Sequence, residues 1–198
     1  MFSIFKKKSA PTPTPIIAPP VASNYKTKDF DQSLTRLLQN SKFLYRDTNL
    51  SPEIRAQYKK NLFFRESTFC DVTHKFGGPA ANTRFLVISA SPRDISGLSE
   101  HPEWGLCIFP SNELFKVIDL HLLGAFLQVT LLHIPKGFEA YFRSPDASHF
   151  EALIVPQTRG DFQEACSMPP LAELTGEEWL ARTAHPLGCN NEELLLGE

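Results

Sequence analysis

The sequence predicts an α+β fold: N-terminal helices packed on an antiparallel sheet of about four strands, then a short C-terminal helix. Two observations predict it. Strand-like segments cluster between residues 84 and 134, and helix-like periodicity lies on either side of them rather than alternating with them. The chain has 198 residues, 42% of them apolar and 21% charged, enough for one domain with a real core.

Structure is expected to begin near Asp29. Residues 9–24 hold five of the sixteen prolines, so residues 1–28 read as a basic, proline-rich, extended arm. At its start Phe2, Ile4 and Phe5 precede Lys6, Lys7 and Lys8, a pattern that would touch an anionic membrane surface only marginally. Residues 29–198 read as a single α+β domain whose segment 161–198 is acidic, with eight acids against Arg182 alone.

Phe30, Leu34, Leu37 and Leu38 recur at helical spacing and give a first helix. Ser51-Pro52-Glu53 supplies a cap, a first-turn proline and an acid for the positive end of a second helix, continued by Ile54, Tyr58 and Leu62. After the loop Phe76–Asn82, the run Arg84–Ser89 is almost wholly apolar and reads as a central strand. Trp104–Phe109 reads as a second strand.

Leu114–His121 and Phe126–Ile134 read as a hairpin about Leu123-Gly124. That register sets Ile118, Leu120, Val129 and Leu131 inward. It sets Phe115, Asp119, His121, Phe126, Gln128 and Thr130 on the opposite face, as a partner-binding surface. Thr175 and Glu178 have capping-box spacing before a last helix that buries Trp179 and Leu180.

The formal charge of −2 and the pI near 6.3 exclude the basic excess of a nucleic-acid binder. No apolar run reaches the roughly 18 residues of a spanning helix. The first residues lack the order of an export signal, so the expectation is a cytoplasmic protein with reduced thiols.

Two fragments could carry chemistry. Cys70-Asp-Val-Thr-His74 and His185-Pro-Leu-Gly-Cys189 together offer the donors of a tetrahedral zinc site, although neither has the common short spacing. Cys70 with His74, or Cys107 with any of the six histidines, could instead form a thiolate pair. No G-x-S-x-G elbow and no phosphate-binding glycine loop is present. The sequence therefore predicts a small protein-interaction module (adaptor, chaperone or inhibitor-type partner), with no assigned catalytic residue, cofactor or metal ligand. A thiol- or metal-dependent enzyme using the two Cys/His fragments is the alternative.

Overall fold

A computed structural model of the chain describes residues 28–190 and 193–194. The expected arm, Lys28 excepted, lies outside the described residues, and so do the first eight residues read as touching a membrane. The centre of the fold is a sheet of eight strands: β1 (Lys42–Thr48), β2 (Phe63–Arg65), β3 (Cys70–Thr73), β4 (Thr83–Ser89), β5 (Arg93–Asp94), β6 (Leu106–Phe109), β7 (Leu114–Leu123) and β8 (Phe126–Ile134). They lie in the order β2-β7-β8-β4-β1-β3-β6-β5. Every pairing is antiparallel except that of β4 with β8, which is parallel.

The expected antiparallel sheet of about four strands is therefore corrected to a mixed sheet of eight. The reason lies in residues 42–73. β1 carries Arg46 and Asp47 at its middle, which interrupts any apolar run, and β2 and β3 are only three and four residues long. The parallel pairing of β4 and β8 spans some forty residues of intervening chain and leaves no local signature.

Helices α1 (Lys28–Gln39), α3 (Glu139–Arg143) and α4 (Ser148–Ala165) accompany one face of the sheet, over Ile88, Leu114, Ile118, Leu132 and Ile134. On that face the Lys116 ammonium, on β7, is buried with the Glu151 carboxylate of α4 and also donates to the Phe142 oxygen. Residues 148–165 form one continuous helix despite Pro156. No helix among the described residues is long and apolar enough to cross a membrane.

The other face packs Leu44, Val72, Phe85, Val87, Phe109, Phe115, Val117, Val129 and Leu131 beneath Tyr58, Phe64 and Leu187. The second helix is present as α2 (Pro52–Arg55), and its Ile54 N–H does donate to Ser51 Oγ. A third cluster joins Trp104, Leu106, Leu174 and Trp179; the last belongs to α5 (Glu177–Arg182). This helix stands where the capping box placed it, but Thr175 Oγ1 donates to the Ala172 oxygen instead of capping it. Cys189–Asn190 pairs with Glu193–Leu194 in a small ladder.

Candidate functional site

The hairpin expected at 114–134 is present, one residue out of register. Leu123 pairs with Phe126, so the turn is Gly124-Ala125, and Gly124 takes the left-handed conformation with φ at 59°. Asp119 lies opposite Thr130 and His121 opposite Gln128, so these four do share a face.

A bulge between Val117 and Asp119 reverses the half of β7 before it. Phe115 is therefore buried on the opposite face, and Ile118 packs with the helical layer. The shared face is not open either. α4 covers it: Gln128 Nε2 donates to the Thr158 oxygen at 3.1 Å, and Arg159 makes a two-pronged ion pair with Asp119 at 2.7 and 2.8 Å. Asp119, Gln128, Thr130 and Phe115 are buried, and only His121 and Phe126 are half-buried. Polar residues on a strand suggested a wetted side, whereas here they serve to dock a helix.

The two Cys/His fragments do not converge into a ligand set. Cys70 is fully buried in the core at the far end of β3 from His74, and burial pushes its thiol up to about 12. His185 Nε2 contacts the Cys189 oxygen at 3.0 Å, and Cys189 Sγ lies 3.8 Å from Tyr58 Oη. Burial also raises the Cys189 thiol, so neither cysteine is a ready thiolate at neutral pH.

The arrangement that does stand out centres on Arg46, which sequence reasoning missed. Two arginines are buried near one another, Arg46 on β1 and Arg84 on β4, and they are treated differently. Arg84 is fully paired. Its Nε and Nη2 grip the two oxygens of Asp47 at 2.8 and 2.7 Å, and its remaining donors reach the Gly77 and Gly78 oxygens.

Arg46 has no carboxylate within ion-pair distance among the described residues. Its Nη1 donates to the Asp71 oxygen at 3.2 Å and its Nη2 to the His185 oxygen at 2.5 Å. Its Nε is, among the described residues, the one buried side-chain nitrogen or oxygen without a hydrogen-bond partner. A guanidinium that is 3% exposed and has no ion-pair partner among the described residues is costly, and so calls for an explanation.

What covers Arg46 is a strap of chain, residues 183–189. Thr183 Oγ1 donates to the Asp47 oxygen, and Thr48 Oγ1 donates to the Ala184 oxygen. Tyr58 donates from its hydroxyl to the Leu187 oxygen at 2.6 Å, and the Gly188 N–H donates to Glu66 Oε2 at 2.8 Å. Gly188 sits at φ 74° with the Phe64 ring against it, where a Cβ would fall 2.2 Å from a ring carbon; only glycine fits. Glu66 is buried and is further held by the Thr68 N–H and hydroxyl. Both Arg46 and Glu66 act electrostatically on Tyr58 and on Cys70, and all four are buried beneath the strap.

No known family and no curated protein matches the sequence. Part of the fold is similar to solved bacterial proteins. The type III effector XopAI from Xanthomonas axonopodis pv. citri aligns at a TM-score of 0.43 with 16% identity, over 50% of this chain and 46% of that one. The ADP-ribosyltransferase HopU1 of Pseudomonas syringae pv. Tomato aligns at 0.43 with 20% identity, over 48% and 45%. C3stau2 from S. aureus, solved with NAD, aligns at 0.41 with 12% identity, over 59% and 76%.

The chain thus spans just under half the length of the first two. At this level the likeness assigns no activity to it. The expectation of a non-catalytic adaptor is nevertheless corrected, and with it the leaning away from an enzyme. The face assigned to a protein partner lies under α4.

Proposed function

We propose that this chain is an enzyme that binds a phosphate-bearing dinucleotide at Arg46 and transfers part of it to an acceptor. The observation that carries this reading is the buried Arg46 guanidinium with no counter-ion and an unpartnered Nε. A planar fork of N–H donors suits a phosphate better than two main-chain oxygens, and a dianionic ligand would supply the missing charge.

The first ligand to test is NAD, which C3stau2 holds in its solved structure. ADP-ribosyl transfer is the reaction to test with it. The bond from ribose to nicotinamide breaks, nicotinamide leaves, and the ribosyl carbon passes to a nucleophile. In that chemistry Arg46 would anchor the pyrophosphate. Glu66, its Oε2 released from the Gly188 N–H when the strap lifts, would face the positive charge that develops on the ribose. Another protein would then serve as acceptor rather than as bound partner. A cytoplasmic site of action belongs to the same proposal, supported by four free cysteines.

The test is titration of the full chain with NAD alongside an assay for nicotinamide release, repeated with Arg46→Met and with Leu187→Ala. The expected result is binding by the full chain, tighter binding by Leu187→Ala, and none by Arg46→Met. If neither the full chain nor Leu187→Ala binds NAD or releases nicotinamide, the reading is overturned.

A further inference from the structure

We infer that His74, Asp94 and Cys107 form a zinc-binding site at the β3-β6-β5 edge of the sheet, outside the Arg46 pocket. Among the described residues they are the one group of three or more His, Cys, Asp or Glu side chains whose donor atoms all lie within 4.8 Å of one another. Three separate segments meet there. His74 follows β3, Asp94 is on β5, and Cys107 is on β6 as the direct cross-strand partner of Asp94.

The geometry suits three ligands of one ion. Cys107 Sγ and His74 Nδ1 are 3.9 Å apart, at the long end of a sulfur hydrogen bond. Zinc bonds of ordinary length at a tetrahedral angle would set them about 3.6 Å apart. Asp94 is already oriented: the Ser96 N–H and hydroxyl both donate to its Oδ1, at 3.0 and 2.7 Å, which leaves Oδ2 for a metal.

The histidine is placed by its neighbour as well. A Cβ on Gly105 would fall 2.8 Å from the His74 ring, so the ring occupies space that only glycine leaves, and Gly105 has the left-handed φ of 59°. Lys42 is a cation that acts on both Asp94 and Cys107, and it favours the anionic forms that a metal requires.

The donor set selects the metal. One thiol, one imidazole and one carboxylate suit zinc and exclude magnesium or calcium, which take oxygen donors throughout. Zinc binding breaks the Cys107 S–H bond, forms S–Zn and releases one proton to solvent. Three protein donors leave the fourth tetrahedral position open for water or an exogenous ligand.

The experiment uses the untagged full chain. Zinc alone is titrated calorimetrically, and the metal-to-protein ratio is measured after gel filtration. Cobalt substitution then reports the thiolate bond through its near-ultraviolet charge-transfer band. The expected result is one zinc per chain, a cobalt–thiolate band, and a loss of affinity of about tenfold or more in both His74→Asn and Asp94→Asn. Cys107→Val keeps an apolar side chain of strand preference at this position and should abolish the band. His74 and Asp94 are exposed, so their variants fold even if Cys107→Val does not. Substoichiometric zinc, or unchanged affinity in His74→Asn and Asp94→Asn, overturns the site and leaves the Arg46 reading untouched.

Discussion

Arg46 of β1 donates from its Nη2 to the main-chain oxygen of His185, 2.5 Å away and 139 residues further along the chain. That contact makes a strap of main-chain oxygens stand in for the anion that a buried guanidinium ordinarily faces. Arg84, one strand over, has that anion in Asp47.

The two arginines should therefore respond differently to the same change. Arg46→Met removes a buried charge that pairs with no carboxylate among the described residues, although Glu66 stays buried nearby, and should cost clearly less than the Arg84 change. Arg84→Met leaves the Asp47 carboxylate buried without its partner and should cost about 3–5 kcal/mol. Urea denaturation of both variants checks this. Equal losses would mean that Arg46 is as well satisfied as Arg84.

The Lys116–Glu151 pair fastens α4 to the sheet. Lys116→Ala should cost about 3–5 kcal/mol by leaving a buried carboxylate alone, whereas Lys116→Met with Glu151→Leu should recover most of the loss. A double-mutant cycle by chemical denaturation measures it. Full recovery with an unchanged m-value would show that the pair is replaceable by apolar packing.

Acid should weaken the fold through His133. Burial lowers the pKa of this imidazole below its ordinary 6.5, against the smaller opposing pull of Glu113. The folded chain thus binds the proton less readily than the unfolded chain does. The stability that neutral His133 contributes is present above about pH 6.5 and is lost as pH falls through that value toward the lower folded pKa. Melting temperature recorded from pH 8 to pH 5 should decline over this window. In His133→Gln the decline should flatten.

Loosening the strap should uncover what lies beneath it. Leu187→Ala removes a side chain that is 2% exposed and should cost about 2–4 kcal/mol. It should also speed alkylation of Cys70, which is inert while fully covered. Mass spectrometry after timed alkylation reads the change. A Cys70 that stays as slow as in the parent would place the protection in the sheet and not in the strap.

The parts of the fold legible in the sequence were those whose pattern is local. Arg84–Ser89 announces a doubly covered strand through its apolar run, and every residue of β4 is buried. Ser51-Pro52-Glu53 announces a helix start through chemistry within three residues. β1 escapes because Arg46 and Asp47 look solvated until their distant partners are known. The bulge after Val117 inserts one residue with no glycine to mark it, and that residue moved Phe115 and Ile118 to faces opposite to those expected. α4 runs through Pro156 and Gly160, which read as breaks when only neighbours in sequence are considered.

The candidate sites were less legible. A buried arginine identifies itself by the carboxylate it lacks, and an absence of that kind exists only in three dimensions. His74 and Cys107 were both noticed as donors. Their pairing depended on the register of β3 with β6, and Asp94 sits on a strand of only two residues.

The single parallel pairing divides the sheet into two antiparallel blocks, β2-β7-β8 and β4-β1-β3-β6-β5, whose strands pair with each other only along β4 and β8. Residues 183–189 grip both, through Asp47 and Thr48 in one block and through Glu66, which follows β2, in the other. Slow amide exchange along Phe85–Ile88 should therefore depend on a segment a hundred residues away. With that segment released, the two blocks become separate cooperative units that open on their own schedules.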